Sequence, residues 1–268
     1  MNKETTYSPS HIAYLKKVKR ETLTVWLLRF SLLVGFLLLW EVLVMLNVID
    51  SFITSSPSKM AKTLVELFRE SNMLYHIGVT LYETLLGFLL AVCLGYFVAL
   101  ILWWSERIRR VLEPYIVVLN SLPKIALGPI IIVWCGSGSK AIIFMAILIS
   151  VIVAIITMLN GFLAIEKDKI LLLKSMGASK IQIMLKLIIP GSTPSLISML
   201  KISVGMAWIG SIMGEYLVSK AGLGYLIVYG SQVFKLDLVM ATTLVLCFLA
   251  TLMYSIVSII ERKIIKDK

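Results

Sequence analysis

Six apolar runs of about twenty residues or more divide this chain, and they settle its fold class. They fall at 26–46, 76–104, 114–134, 141–163, 193–213 and 238–260. A helix of about 20 residues matches the ~30 Å hydrocarbon core of a bilayer. Only helices and closed barrels satisfy their backbone hydrogen bonds there. The runs are continuous rather than alternating, which favours helices over a barrel. With 59% hydrophobic and only 15% charged residues, the chain has too few charges to cover a soluble surface, which needs about a quarter. The expectation is an all-α, polytopic membrane protein with about six transmembrane helices.

Charge placement gives an orientation. With the N-terminus inside, the inner segments 1–29, 105–112, 162–192 and 261–268 hold eighteen Lys and Arg, and the outer segments hold six. A three-to-one bias predicts N-in, C-in topology. The net charge of +11 lies in short clusters between apolar runs, not along one soluble face, so a nucleic-acid partner is not expected. The first 25 residues read as a cytoplasmic tail, and run 26–46 is too long for a signal-peptide core, so it reads as an uncleaved span. The rest reads as one transmembrane domain, 26–261, and a short inner tail, 262–268. Cys93, Cys135 and Cys247 lie far apart in apolar sequence and read as buried small hydrophobes. Two histidines make no metal site, and His76 reads as interfacial.

The longest inner connection, 162–192, is the most informative. Glu166, Lys167, Asp168 and Lys169 open it, followed by Ile170, Leu173 and Met176 at helical spacing. Gly177 breaks that helix, and Ser179 is placed to cap another through Ile181, Met184, Leu185 and Ile188. Pro190 is expected to end it, with Thr193 and Pro194 starting the fifth span. Lys174, Ser175, Met176, Gly177, Ala178, Ser179 and Pro190 form the candidate docking loop. Two short helices at an angle, presenting apolar side chains, can plug a partner's groove or lie flat on lipid headgroups.

Other features bear on a solute path. On the outer side, Ser56 and Pro57 open an amphipathic helix carrying Met60, Leu64, Leu67 and Phe68. The third span is interrupted by Pro123, Lys124 and Pro129. Two prolines remove two backbone donors, giving either a packing kink or a broken span lining a route. Charged residues inside spans are costly. Lys201 and Glu41 read as snorkelling to headgroups, and Glu83 as pairing with a neighbour. Lys124, deeper, is the candidate for favouring an anion. Glu215, with Trp208, Tyr216 and Tyr225 nearby, reads either as an outer gate or as interfacial aromatic anchoring.

These motifs together resemble ABC importer permease subunits. The family's loop pattern appears as Gly177, Leu187, Ile189 and Pro190. The likeness continues through Ala207 to Gly210, Gly214 to Leu217 and Gly222 to Ile227, and includes Ser56 to Ser58 and Ser121 to Pro123. It points to the nitrate/sulfonate/taurine branch. One departure is Leu171, Leu172 and Leu173, where the family usually has Glu-Ala-Ala; Glu166 or Lys174 is the candidate substitute. The resemblance implies a permease subunit, itself not an enzyme, in a prokaryotic cytoplasmic membrane. Its partners would be a second permease subunit (a copy or close relative), a cytoplasmic ABC ATPase dimer holding ATP and Mg, and an extracytoplasmic solute-binding protein. The solute would be small, anionic or sulfonate-like. Consistent with this, the chain has no Gly-x-x-x-x-Gly-Lys-Ser/Thr loop to cradle nucleotide phosphates, and Gly136 to Lys140 reads as a turn. The rival is an ion-coupled secondary transporter working as a dimer, against which stands the absence of visible repeats.

Overall fold

A computed structural model describes residues 9–70 and 72–266; residues 1–8 of the expected inner tail and 267–268 of the C-terminal one lie outside it. Every regular element among the described residues is helical. Five helices are long and apolar enough to cross a membrane, and a bent pair supplies a sixth crossing if counted as one span. The chain divides into two compact units, Met1–Thr63 and Leu64–Lys268.

In the first unit, α1 runs Pro9–Met45. It begins well before the apolar run because 10–25 contains neither proline nor glycine, and its Lys, Arg and Glu residues favour helix. Trp26, Phe30, Leu32 and Phe36 are exposed, as a lipid-facing helix requires. Asp50 caps the short α2, Ser51–Thr54. Helix α3, Pro57–Glu70, begins here with proline at its first position. Glu41 does not simply reach for headgroups: its carboxylate accepts the Ser58 N–H (3.0 Å) and hydroxyl (2.8 Å).

The second unit is built on α4 (Met73–Trp104), α7 (Ser139–Leu163) and α11 (Thr193–Val218). In lipid, apolar contact between helices gains little over contact with lipid tails, so close approach depends on small residues and buried polar bonds. Gly87 lies against Ala146, Gly95 against Ala154, and Gly214 against Ile142. The closest approach to another helix's backbone is at Gly210, where an added Cβ would sit 2.5 Å from the Ala146 Cα. Between α4 and α11, the buried hydroxyls of Thr84 and Ser211 bond at 2.6 Å. Leu64 and Leu67 of α3 join the apolar core that includes Met73, Phe88, Trp208 and Leu238.

Helix α5 (Glu106–Ser121) and α6 (Gly128–Cys135) are joined by a 3-10 turn, Lys124–Leu127. The two arms of this bent pair meet at 86°. Leu122 is extended at the corner, as the residue before a proline prefers. The chain finishes with α12, Leu223–Gln232, and α13, Leu236–Lys266.

Three expectations are corrected. Lys201 does not snorkel; its Nζ pairs with Glu261 of α13 at 2.5 Å and lies 5.8 Å from the Tyr254 ring centroid. An ion pair inside the bundle spares both charges the cost of lipid. His76 is not a plain interfacial residue, because its Nδ1 accepts the Gly222 N–H at 3.0 Å. Cys93 and Cys247 are exposed and Cys135 is intermediate. An apolar side chain suits a lipid-facing surface as well as a core, so sequence hydropathy does not separate the two.

Candidate functional site

The connection between α7 and α11 folds into an elbow. Helix α8, Lys167–Ser175, ends at Gly177, whose φ of +80° lies in the left-handed region. The Ala178 N–H bonds the Leu173 carbonyl (2.9 Å) and the Gly177 N–H bonds that of Lys174 (3.0 Å). This is the Schellman arrangement, which satisfies the last carbonyls of a helix and needs a residue at ease with positive φ. Two residues on, Ser179 caps α9, Lys180–Ile183, in a reciprocal box. Its hydroxyl accepts the Gln182 N–H (3.3 Å), and the Gln182 side chain accepts the Ser179 N–H (2.8 Å). Both helix ends at the corner are therefore closed by short-range bonds, and the angle between them is fixed in advance.

One face of the elbow is anchored. Ile183 and Ile188 are buried with Leu102, Met158, Phe162 and Met199, and Leu173 and Ala178 pack against the same cluster. Lys180 adds a tie to α4: its Nζ donates to the Trp104 carbonyl and lies 4.8 Å from the Trp104 ring centroid. That contact caps the open C-terminal carbonyls of α4 with a cation, the favourable end for positive charge. The opposite face is unpartnered. Leu171, Leu172, Met176, Ile181 and Leu185 are all more than half exposed. Ser175 folds its hydroxyl back on the Leu171 carbonyl (2.8 Å), and Glu166 pairs with Lys169 (3.0 Å).

Pro190 does not end the second helix as expected. The backbone passes through it: a π-helical stretch, Met184–Ile188, leads into α10, Ile189–Gly191. The Ile189 N–H reaches back five residues to the Met184 carbonyl. A proline ring collides with the carbonyl four residues earlier in a regular α-helix, and the wider π turn relieves that collision. Nor does Thr193 cap α11. Ser192 occupies the N-cap position without a side-chain cap bond, and the Thr193 hydroxyl donates to the Pro190 carbonyl (2.9 Å).

The expected path residues are not gathered at the elbow. Pro123 and Lys124 sit at the corner of the broken span, with Lys124 Nζ donating to the Asn120 carbonyl at 3.3 Å. Trp208 is buried on α11. Glu215, two turns further along, is buried beside Glu83 of α4, and the two carboxyl groups meet. Thr80 and Trp104 are both on α4 and 24 residues apart, which separates the Glu215 group from the Lys180 tie by about 36 Å of helix. The two sites occupy opposite ends of the bundle. The apolar elbow was legible from sequence. The ties made by His76, Thr80 and Lys180 were not, because their partners lie between 76 and 146 residues away.

The described residues form a bundle of helices long and apolar enough to cross a membrane, with one sharply bent pair and a preformed apolar elbow at one end. Residues 91–266 match the model of the binding-protein-dependent transport system inner membrane component family, and the chain belongs to that family. It is 32% identical over 230 residues to a probable ABC transporter permease protein of Haemophilus influenzae, covering 85% of this chain and 93% of that one. It is 25% identical over 241 residues to a Bacillus subtilis protein described as a putative aliphatic sulfonates transport permease, covering 90% and 87%. Among solved structures it resembles a chain of a bacterial ABC transporter involved in alginate import, with a TM-score of 0.64 at 14% identity over 94% of this chain and 99% of that one. That last likeness concerns the fold alone.

Proposed function

We propose that this chain is the path-forming subunit of an ATP-driven importer, with its α8–α9 elbow as the seat for a cytoplasmic ABC ATPase. The observation that carries the reading is the elbow itself. Five large apolar side chains stand exposed on a corner whose caps are complete and whose other face is buried. Burying a handful of such side chains in a groove is how a helix pair docks on a partner. In this reading both termini are inside the cell, in a prokaryotic cytoplasmic membrane. A second permease subunit, a copy or a close relative, completes the path. A solute-binding protein delivers the cargo on the outer side. ATP and Mg belong to the ATPase, whose closure moves the elbow and, through the Lys180 tie and the Ile183 and Ile188 anchors, the ends of α4 and α7.

Leu172→Asp tests the seat. The side chain is exposed, so the permease is expected to fold and insert as before. Association with the ATPase is expected to weaken by about tenfold or more, the scale of losing one central apolar anchor. Co-purification of the ATPase in detergent reads this, and undiminished association would contradict the docking role.

The cargo reading is a small anion such as an aliphatic sulfonate, supported by the name of the Bacillus subtilis relative and by Lys124 at the break in α5 and α6. Among the described residues the Lys124 Nζ bonds a neutral carbonyl and pairs with no carboxylate, which leaves it open to an anion. Lys124→Met is expected to raise the KM for a sulfonate about tenfold, the scale of one charge-assisted hydrogen bond. Uptake with an unchanged KM would remove Lys124 from the path.

A further inference from the structure

The N-terminus of α12 is held in an unusual way. Helix starts leave backbone N–H groups unsatisfied, and a side chain at the N-cap ordinarily accepts one of them. Here the N-cap is Gly222, which has no side chain to offer. Three successive donors are instead captured by other helices. The Gly222 N–H goes to His76 Nδ1 (3.0 Å), the Leu223 N–H to Thr80 Oγ1 (2.8 Å), and the Gly224 N–H to Glu215 Oε2 (2.5 Å). His76 and Thr80 lie one turn apart on α4, and Glu215 is on α11. The His76 ring also stacks on Tyr225 at 6.1 Å.

Close approach is built into the sequence. A Cβ on Gly222 or Gly224 would run into the Glu215 side chain, at 2.5 Å and 2.8 Å. Glu215 and Glu83 are both buried, with their carboxyl groups against each other. Neither carboxyl group is in an ion pair among the described residues. Two acidic groups side by side inside membrane-crossing helices are costly and mark function rather than scaffold. A cavity of about 290 Å³, lined by Tyr75, Val79, Glu83, Ser139 and residues 218–221, lies next to the segment that leads into the turn. Releasing the turn exchanges three specific bonds for solvation.

We propose that the 222–224 turn is a releasable latch, in which His76, Thr80 and Glu215 are positioning residues that clamp α12 to α4 and α11 and let go once in each transport cycle. This rests on the reading of the chain as an ATP-driven permease. It places the moving part at the end of the bundle opposite the elbow, with α4 joining the two.

The test uses the complete transporter with its ATPase, in proteoliposomes, with Cys93, Cys135 and Cys247 replaced by alanine. A single thiol is introduced as Tyr225→Cys, beside the latch, and its labelling by a polar maleimide is timed with and without ATP plus vanadate. Release is expected to speed labelling about tenfold or more, as when a minor open population becomes dominant. Glu215→Leu is expected to label fast without nucleotide. Glu215→Gln, which keeps an oxygen for the Gly224 N–H, is expected to label slowly, and Thr80→Val serves as the second latch-breaking variant. Hydrolysis with unchanged labelling would overturn the latch and leave the permease reading standing. Failure to form any hydrolysing complex would overturn that reading, and the latch with it.

Discussion

Gly177→Val is expected to leave the permease folded and inserted while abolishing solute uptake, with ATP hydrolysis by the assembled transporter continuing uncoupled. An added Cβ at Gly177 meets nothing within 4 Å, so steric room is not the issue. The cost comes from φ of +80°, a region that costs an L-residue about 1–2 kcal/mol and is an outlier for a β-branched one. Relieving that strain means leaving the left-handed conformation, which breaks the two bonds from Gly177 and Ala178 to the end of α8. The angle between α8 and α9 is then no longer fixed, and the lever bends instead of transmitting. A graded series separates conformation from bulk. Asn tolerates the left-handed region better than other non-glycine residues, so Gly177→Asn should retain part of the uptake that Gly177→Val loses. Parallel measurement of uptake and ATPase rate in the same vesicles decides it, and coupled transport in the valine variant would contradict the account.

The other large effect is expected at Gly210. Replacing it with leucine should prevent formation of a stable bundle, because the new Cβ falls on the backbone of Ala146 and backbone cannot rotate away. Overpacking typically costs about 1–3 kcal/mol, and contact with main chain belongs at or beyond the upper end. Gly205, on the same helix, has open space around it, so Gly205→Leu is the matched control and should be tolerated. Thermal unfolding in detergent, followed by size-exclusion chromatography, reads both. Equal stability of the two variants would show that α7 and α11 do not depend on this contact.

What could be read from the residues follows the range of the interactions. The elbow is local: a glycine after an amphipathic stretch, then a serine three residues before a glutamine, encodes a Schellman end and a capping box within a few positions. The corner in the third span is local too: Pro123 follows the end of α5, and Pro129 sits in the first turn of α6, where a proline suits a helix start. Three kinds of feature escaped. The Lys201–Glu261 pair joins positions 60 residues apart, and single-residue reasoning sent Lys201 to the headgroups. The clamp on α12 joins α4 to a turn more than 140 residues later. Pro190 was misread because its usual effect presumes a regular α-helix, whereas five residues of π-helix accommodate it. The cysteines show a further limit, since lipid and core select the same side-chain chemistry from opposite sides of a helix.

The central claim is that the exposed corner of the α8–α9 elbow faces the cytoplasm, where a soluble motor can reach it. The most direct test is the side from which a thiol placed there can be labelled. In a chain freed of Cys93, Cys135 and Cys247, Met176→Cys is treated with a membrane-impermeant maleimide in right-side-out and in inverted vesicles. Reaction in inverted vesicles alone is the expected result, because residue 176 is exposed and the adjoining segment carries the inner-side excess of Lys and Arg. Reaction in right-side-out vesicles would place the elbow outside the cell and contradict the account.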